Sequence, residues 1–223
     1  MSKTLPLQLF AHPFSSYCQK ALIALYENDT PFEFRMLGPD ESSTMTEFAE
    51  IWPIKRFPVL VDNGKEVIES TVIIEYLDRR YPGAVRFIPA DAEAALDARF
   101  MDRIFDNYVM TPQMKIVFNA IRPPENRDPY GVAEARTLLE TAYAWLDMRM
   151  AGREWAASDT FSVADCAAAP ALFYADWTHR IPESCVHLHA YRRRLLARPS
   201  FARAVDEARP YRPLFPLGAP DRD

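Results

Sequence analysis

Hydrophobic residues recur with two different periods along the chain, and the change of period divides it. "LPLQLFA" (5–11) is a short apolar run closed by His12-Pro13, the pattern of a buried strand. Over residues 15–28, Ala21, Leu22, Ala24, Leu25 and Tyr26 then fall at helical spacing. In "PFEFRML" Phe32, Phe34 and Met36 alternate on one face, a strand period. "DESSTMTEFAEI" (40–51) is weakly periodic and polar, a helix or a loop. "PVLVDNGKEVIES" sets Asn63-Gly64 between apolar runs, the pair preferred by a two-residue type I′ hairpin turn. Val72, Ile73, Tyr76 and Leu77 follow as one helical stripe, stopped by Pro82-Gly83.

From Asp91 onward only the helical period remains. "DAEAALDARFMDRIFDNYVMTPQMKIVF" carries it for about seven turns of ~3.6 residues. "VAEARTLLETAYAWLDMRMAG" repeats it, with Leu138, Leu139, Ala142, Trp145 and Leu146 as the expected buried stripe and Gly152 as its stop. Shorter helices extend to Ala208, and the closing "RPLFPLGAPDRD" fits no pattern. The pattern predicts a small α/β domain over residues 1–83. "YPGAVRFIPADA" links it to an all-helical domain over 90–223.

Composition narrows the function. A formal net charge of -5 offers no basic face for nucleic acid. The best apolar segment, Cys166–Ala175, has a proline inside it and is too short to span a bilayer, and the start of the chain lacks a secretory pattern. Three cysteines suit a reducing compartment, so a cytoplasmic protein is expected. Six glycines, none spaced as GxGxxG or a P-loop, argue against nucleotide cofactors bound through those devices. Cys185, His187 and His189 do not share one helical face, so no metal is expected there.

Four motifs remain. "SSYC" (15–18) lies between the first strand and helix, "WPIKRFPVL" (52–60) precedes the hairpin, "ES" (69–70) opens the third helix, and "FSVAD" (161–165) opens an apolar helix. At these separations the chain resembles a cytosolic glutathione transferase, a serine-type bacterial member of theta- or zeta-like kind, over nearly its whole length. The resemblance implies a thioredoxin-like N-terminal domain that binds glutathione as co-substrate. An all-α C-terminal domain would supply a pocket for an apolar electrophilic small molecule. It further implies a detoxifying homodimer built on the third helix and the first two helices of the helical half, with Asp102 or Asp106 reaching the partner's glutathione site.

By the same resemblance Ser15 occupies the position of the reactive residue, three before Cys18 as in a CxxC arrangement. Its hydroxyl would donate to the glutathione thiolate while the helix N-terminus adds partial positive charge. Lowering a thiol pKa by ~2 units amounts to roughly 2.7 kcal/mol. Ser16 could serve with a one-residue slip, and Ser15 taken alone reads as a helix cap. Ala11 stands where tyrosine-type members carry their hydroxyl, and Cys18 is expected to pack as a small hydrophobe.

Phe57 would offer its backbone to the cysteinyl unit beside a cis Pro58. Arg56 or Lys55 would meet the glycyl carboxylate or stay solvated; Trp52, Lys55, Arg56 and Phe57 replace the family's usual Asn, Gly, Lys and Val. Glu69 and Ser70 would hold the γ-glutamyl ammonium and carboxylate. Ser162 and Asp165 form a structural capping box. Tyr108, Met110, Met114 and Phe118 are mostly core, some of them able to line the second pocket with Tyr174 or Tyr211. Two alternatives stand beside transfer: a maleylacetoacetate-type isomerase, although Tyr17 replaces the cysteine of that motif, and a non-catalytic binding protein.

Overall fold

A computed structural model describes residues 7–223, so the first two residues of the expected first strand lie outside it. The N-terminal half runs β1 (Gln8–Ala11), α1 (Ser16–Glu27), β2 (Glu33–Met36), α2 (Ser42–Ile51), β3 (Val59–Asp62), β4 (Lys65–Ile68) and α3 (Ser70–Arg80). The ambiguous stretch after β2 is therefore helical, with Thr44 and Phe48 buried one turn apart. The strands order β2-β1-β3-β4; β1 and β2 are parallel because a helix crosses between them, and the other neighbours are antiparallel. At the hairpin Asn63 and Gly64 have φ of 50° and 81°, the two positive values a type I′ turn requires.

Alternation along the strands separates two apolar layers. Leu9, Ala11 and Leu60 join the main core with α1 and α3, while Phe10 and Val59 meet Leu37 and Phe48 on the α2 side. The helical half comprises α4 (Ala92–Ile104), α5 (Thr111–Ala120), α6 (Pro129–Met150), α7 (Val163–Thr178), α8 (Val186–Leu196) and α9 (Pro199–Ala208). The long helix expected from Asp91 is divided by a π-helical turn, Phe105–Met110. Pro112 follows at the start of α5 and has no N–H to continue the α pattern.

Two expected stripes need correction. Val72 is 51% exposed, and Leu138 and Trp145 also reach the surface, while Leu139, Ala142 and Leu146 are buried. Positions 138 and 145 lie at the edge of that stripe, and Trp145 meets Phe100 of α4 edge-on at 6.2 Å. Tyr108 and Phe118 are likewise exposed, whereas Met110 is core.

α7 is buried along Val163–Trp177, as its unbroken apolar character demands. Its first turn is held by Asp165, whose carboxylate accepts from the Ser162 and Ala156 N–H groups, each at 2.9 Å, and from Tyr191 Oη at 2.6 Å. Ser162 and Asp165 are thus structural. The patternless tail also has a place: after a 3-10 turn, Arg209–Leu214, Phe215 packs on Trp177 at 5.4 Å. Asp223 then pairs with Arg209 and Arg212, and Arg222 with Asp176. Among the described residues no helix is long and apolar enough to cross a membrane.

Candidate active site

The sheet register brings three of the motifs to one end of the molecule. Val59 pairs with Phe10 on one side and Ile68 on the other, so Pro58 stands between the exit of β1 and Glu69 at the exit of β4. The loop leaving β1 is tied down group by group. Ser15 N–H donates to His12 C=O at 3.0 Å, Gln19 Nε2 donates to Pro13 C=O at 3.0 Å, and Tyr174 Oη donates to Phe14 C=O at 3.0 Å. Phe14 N–H donates to His12 Nδ1 at 3.1 Å. Tyr174 is therefore a clamp from α7 on this loop, and its hydroxyl is taken by that bond and one from Gln19.

Ser15 is the N-cap residue of α1, yet its side chain caps no backbone N–H. The first amide used inside the helix is Gln19, donating to Ser15 C=O at 2.9 Å. The N–H groups of Ser16, Tyr17 and Cys18 thus find no acceptor among the described residues and give this end the partial positive charge that anions seek. Cys18 is fully buried, and burial pushes its thiol up to about 12 against hydrogen bonding from Ser15 and His12. A thiol so protonated is no nucleophile at neutral pH, which agrees with its expected packing role.

The Phe57–Pro58 peptide is cis. Phe57 N–H and C=O enter no backbone hydrogen bond among the described residues. Lys55, at φ 57°, and Arg56 are exposed on this loop and form no ion pair among the described residues. Glu69 carries φ 74° and ψ 124°, a conformation costing about 1–3 kcal/mol for a residue with a Cβ. It starts α3 with its carboxylate exposed and free of described partners, and Ser70 follows as the first, buried residue of the helix. Backbone strain at the mouth of a helix beside an open cis-proline loop is the kind of feature kept for binding.

Behind Ser70 lies a charged cluster that the sequence pattern did not reveal. Lys20, 1% exposed in the middle of α1, contacts Asp102 at 2.6 Å and Asp106 at 2.8 Å. Thr71 Oγ1 accepts from Lys20 at 2.9 Å and from Arg103 at 2.6 Å, and donates to Asp102 at 3.0 Å. Arg103 also reaches Asp106 at 2.5 Å. Two cations and two carboxylates balance, and the Thr71 hydroxyl uses its full bonding capacity.

Burial pushes the Asp106 carboxyl upward, Lys20 pulls it back and the Asp102 charge raises it again. Tyr17, beside the same cluster, is pushed up to about 12, first by burial and then by the Asp106 charge. Within this chain Asp102 and Asp106 are both buried against Lys20. The one readable signal was a lysine directly before the apolar run Ala21–Leu25.

Comparison with known proteins agrees with this arrangement. A family model described as "Glutathione S-transferase, N-terminal domain" matches residues 9–84, and "Glutathione S-transferase, C-terminal domain" matches 109–199. Among curated proteins, a stringent starvation protein A homolog of Coxiella burnetii is 26% identical, the alignment covering 93% of this chain and 95% of that protein. Glutathione S-transferase GstB of Escherichia coli is 26% identical over 89% of this chain and 97% of its own. Among solved structures, a glutathione S-transferase of Methylobacterium radiotolerans in complex with glutathione sulfonate superposes with a TM-score of 0.77 at 27% identity, covering 89% of this chain and 94% of that one. The thioredoxin-like sheet, the helical half and both domain matches together show that this chain belongs to the glutathione S-transferase family.

Proposed function

We propose that the protein is a glutathione transferase that ionises the glutathione thiol beside Ser15 and directs it at an apolar electrophile. One observation carries this: a serine hydroxyl that caps nothing, a row of unpaired helix N–H groups and the open backbone of Phe57 converge at one end of the sheet with Glu69 and Ser70. In this reading Phe57 pairs with the cysteinyl backbone next to Pro58. Ser70 and the α3 N-terminus receive the γ-glutamyl carboxylate, Glu69 takes its ammonium, and Arg56 or Lys55 meets the glycyl carboxylate. The thiol proton leaves to solvent, and the sulfur lone pair forms the new S–C bond as the bond from that carbon to the electrophile's leaving group breaks and the leaving group departs with its electron pair.

The direct test is ultraviolet absorbance of the thiolate on adding glutathione at neutral pH. A thiolate band on binding is the expected result; binding without ionisation would favour a binding protein. That second reading is supported by the Coxiella burnetii relative, whose name is not that of a transferase.

A homodimer belongs to the same proposal. Ion pairs Arg99–Glu75 at 2.8 Å and Arg149–Asp97 at 2.6 Å stitch α3, α4 and α6 together. On the same three helices stand the exposed apolar residues Val72, Leu96, Phe100, Trp145 and Met148. Such a patch on three adjacent helices suits burial against a second copy. Phe100→Asp is expected to convert the dimer to monomer in sedimentation velocity; a wild type that sediments as a monomer would refute the assignment.

A further inference from the structure

His187 belongs to a motif, Cys185–His189, that the glutathione site leaves unused. Its two companions there are occupied: Cys185 is buried, and His189 Nε2 lies 3.1 Å from Pro182 C=O. His187 instead shares a face of α8 with Ala190 and Arg194, spaced three and four residues apart. Together with Met150, Arg153 and Glu154 these residues line a cavity of about 410 Å³ between α8 and the end of α6. Gly152, at φ 72°, turns the chain back at this point. Two guanidinium groups are held here by neutral partners. Arg194 Nη1 donates to Glu154 C=O at 2.6 Å, and Arg153 Nη1 donates to Ala157 C=O at 3.1 Å. Neither forms an ion pair among the described residues, whereas Arg149, Arg192 and Arg198, their neighbours in sequence, face Asp97, Asp176 and Glu27. Each of the two thus keeps Nε and Nη2 available to a ligand.

We propose that this cavity is a binding site for a small sugar phosphate, independent of the glutathione-transfer reading. A planar guanidinium presents paired N–H groups that match two oxygens of a phosphate. A phosphate dianion uses both forks at once, where a single carboxylate satisfies one. His187 adds a third polar group beside them. Glu154, the one acid in the lining, disfavours a longer polyanion and accepts hydrogen bonds from hydroxyl groups of the same molecule. Met150, Gly152 and Ala190 complete the walls without a Phe, Tyr or Trp ring on which a nucleobase would stack. A hydroxylated carbon skeleton therefore fits better than a nucleotide, and the volume lies within the ~300–1,000 Å³ usual for small-molecule sites.

The probe is glucose 6-phosphate, titrated calorimetrically into the intact chain. Binding is expected in the wild type and should weaken by about tenfold or more in Arg153→Gln and in Arg194→Gln, the scale of one lost charge-assisted hydrogen bond. Arg136→Gln, which removes an exposed arginine elsewhere on α6, should bind as the wild type does. Saturating glutathione should not displace the probe, because none of the lining residues belongs to the glutathione site. Binding that survives both cavity substitutions would place the phosphate elsewhere, and an equal loss in Arg136→Gln would reduce the effect to overall charge; either result overturns the proposal. So would displacement by glutathione, or a wild type that binds nothing at millimolar probe. Inorganic phosphate binding as tightly as the ester would overturn the sugar assignment. If losing the Arg194–Glu154 bond unfolds the loop, Arg153→Gln still decides.

Discussion

Lys20→Met is expected to lower the unfolding free energy at neutral pH by about 3–5 kcal/mol, the usual consequence of removing one partner from a buried ion cluster. The substitution keeps the length and apolar stem of the side chain, so packing in α1 changes little. What remains is Asp102 and Asp106, both buried, facing each other with Arg103 as the only cation still beside them in the cluster. Thr71 loses a donor at the same time, and with it goes one of the bonds that fasten the start of α3 to α1.

The pH dependence gives the test a sign. Without Lys20 the Asp106 carboxyl, already raised by burial, rises further and retains its proton in the folded state. An acid whose folded pKa lies above its unfolded value contributes stability at low pH and loses it as pH rises through the folded pKa. The deficit of the variant should therefore shrink on acidification toward about pH 5 and grow again toward about pH 7.5. Urea midpoints at the two pH values measure it. A deficit below about 1 kcal/mol, or one that ignores pH, would show that the cluster is not the buried unit described here.

Ser15→Ala is expected to raise the pKa of bound glutathione by about 2 units and to reduce kcat/KM by about a hundredfold, the scale for one donor to a developing anion. Glutathione binding should persist, because the γ-glutamyl and cysteinyl contacts proposed for Glu69, Ser70 and Phe57 do not use the Ser15 side chain. Stability should also persist, since that side chain caps no N–H of α1. A serine that merely capped the helix would show the opposite, a loss of about 1 kcal/mol in stability with the thiol unaffected. An unchanged thiol pKa together with intact binding would move the activating role to Ser16 or to the amides of the helix start.

Much of the fold could be read from local pattern. The strand runs, the Asn63-Gly64 turn and the helix ending at Ala208 lie where periodicity and turn chemistry placed them, because these signals act over a few neighbouring residues. The cis bond at Pro58 was implied by the family resemblance and not by local pattern, and the structure has it. Edges were less legible. Val72, Leu138 and Trp145 satisfy the helical period as well as their buried neighbours do, and which apolar residue faces outward depends on where the adjacent helix lies.

The sequence by itself thus determined the order of elements, the two-part architecture and the capping role of Ser162 and Asp165, while its resemblance to a family supplied Ser15, Arg56, Phe57, Pro58, Glu69 and Ser70 as candidate positions. Only the tertiary structure decided that Lys20, Asp102 and Asp106 neutralise one another, that Tyr174 holds the loop ahead of Ser15, and that the tail from Arg209 to Asp223 folds back over His12 and Trp177. These contacts join residues far apart in the chain. A lone charge or hydroxyl in sequence carries no mark of its distant partner, and only packing the helices brings donor and acceptor within bonding range.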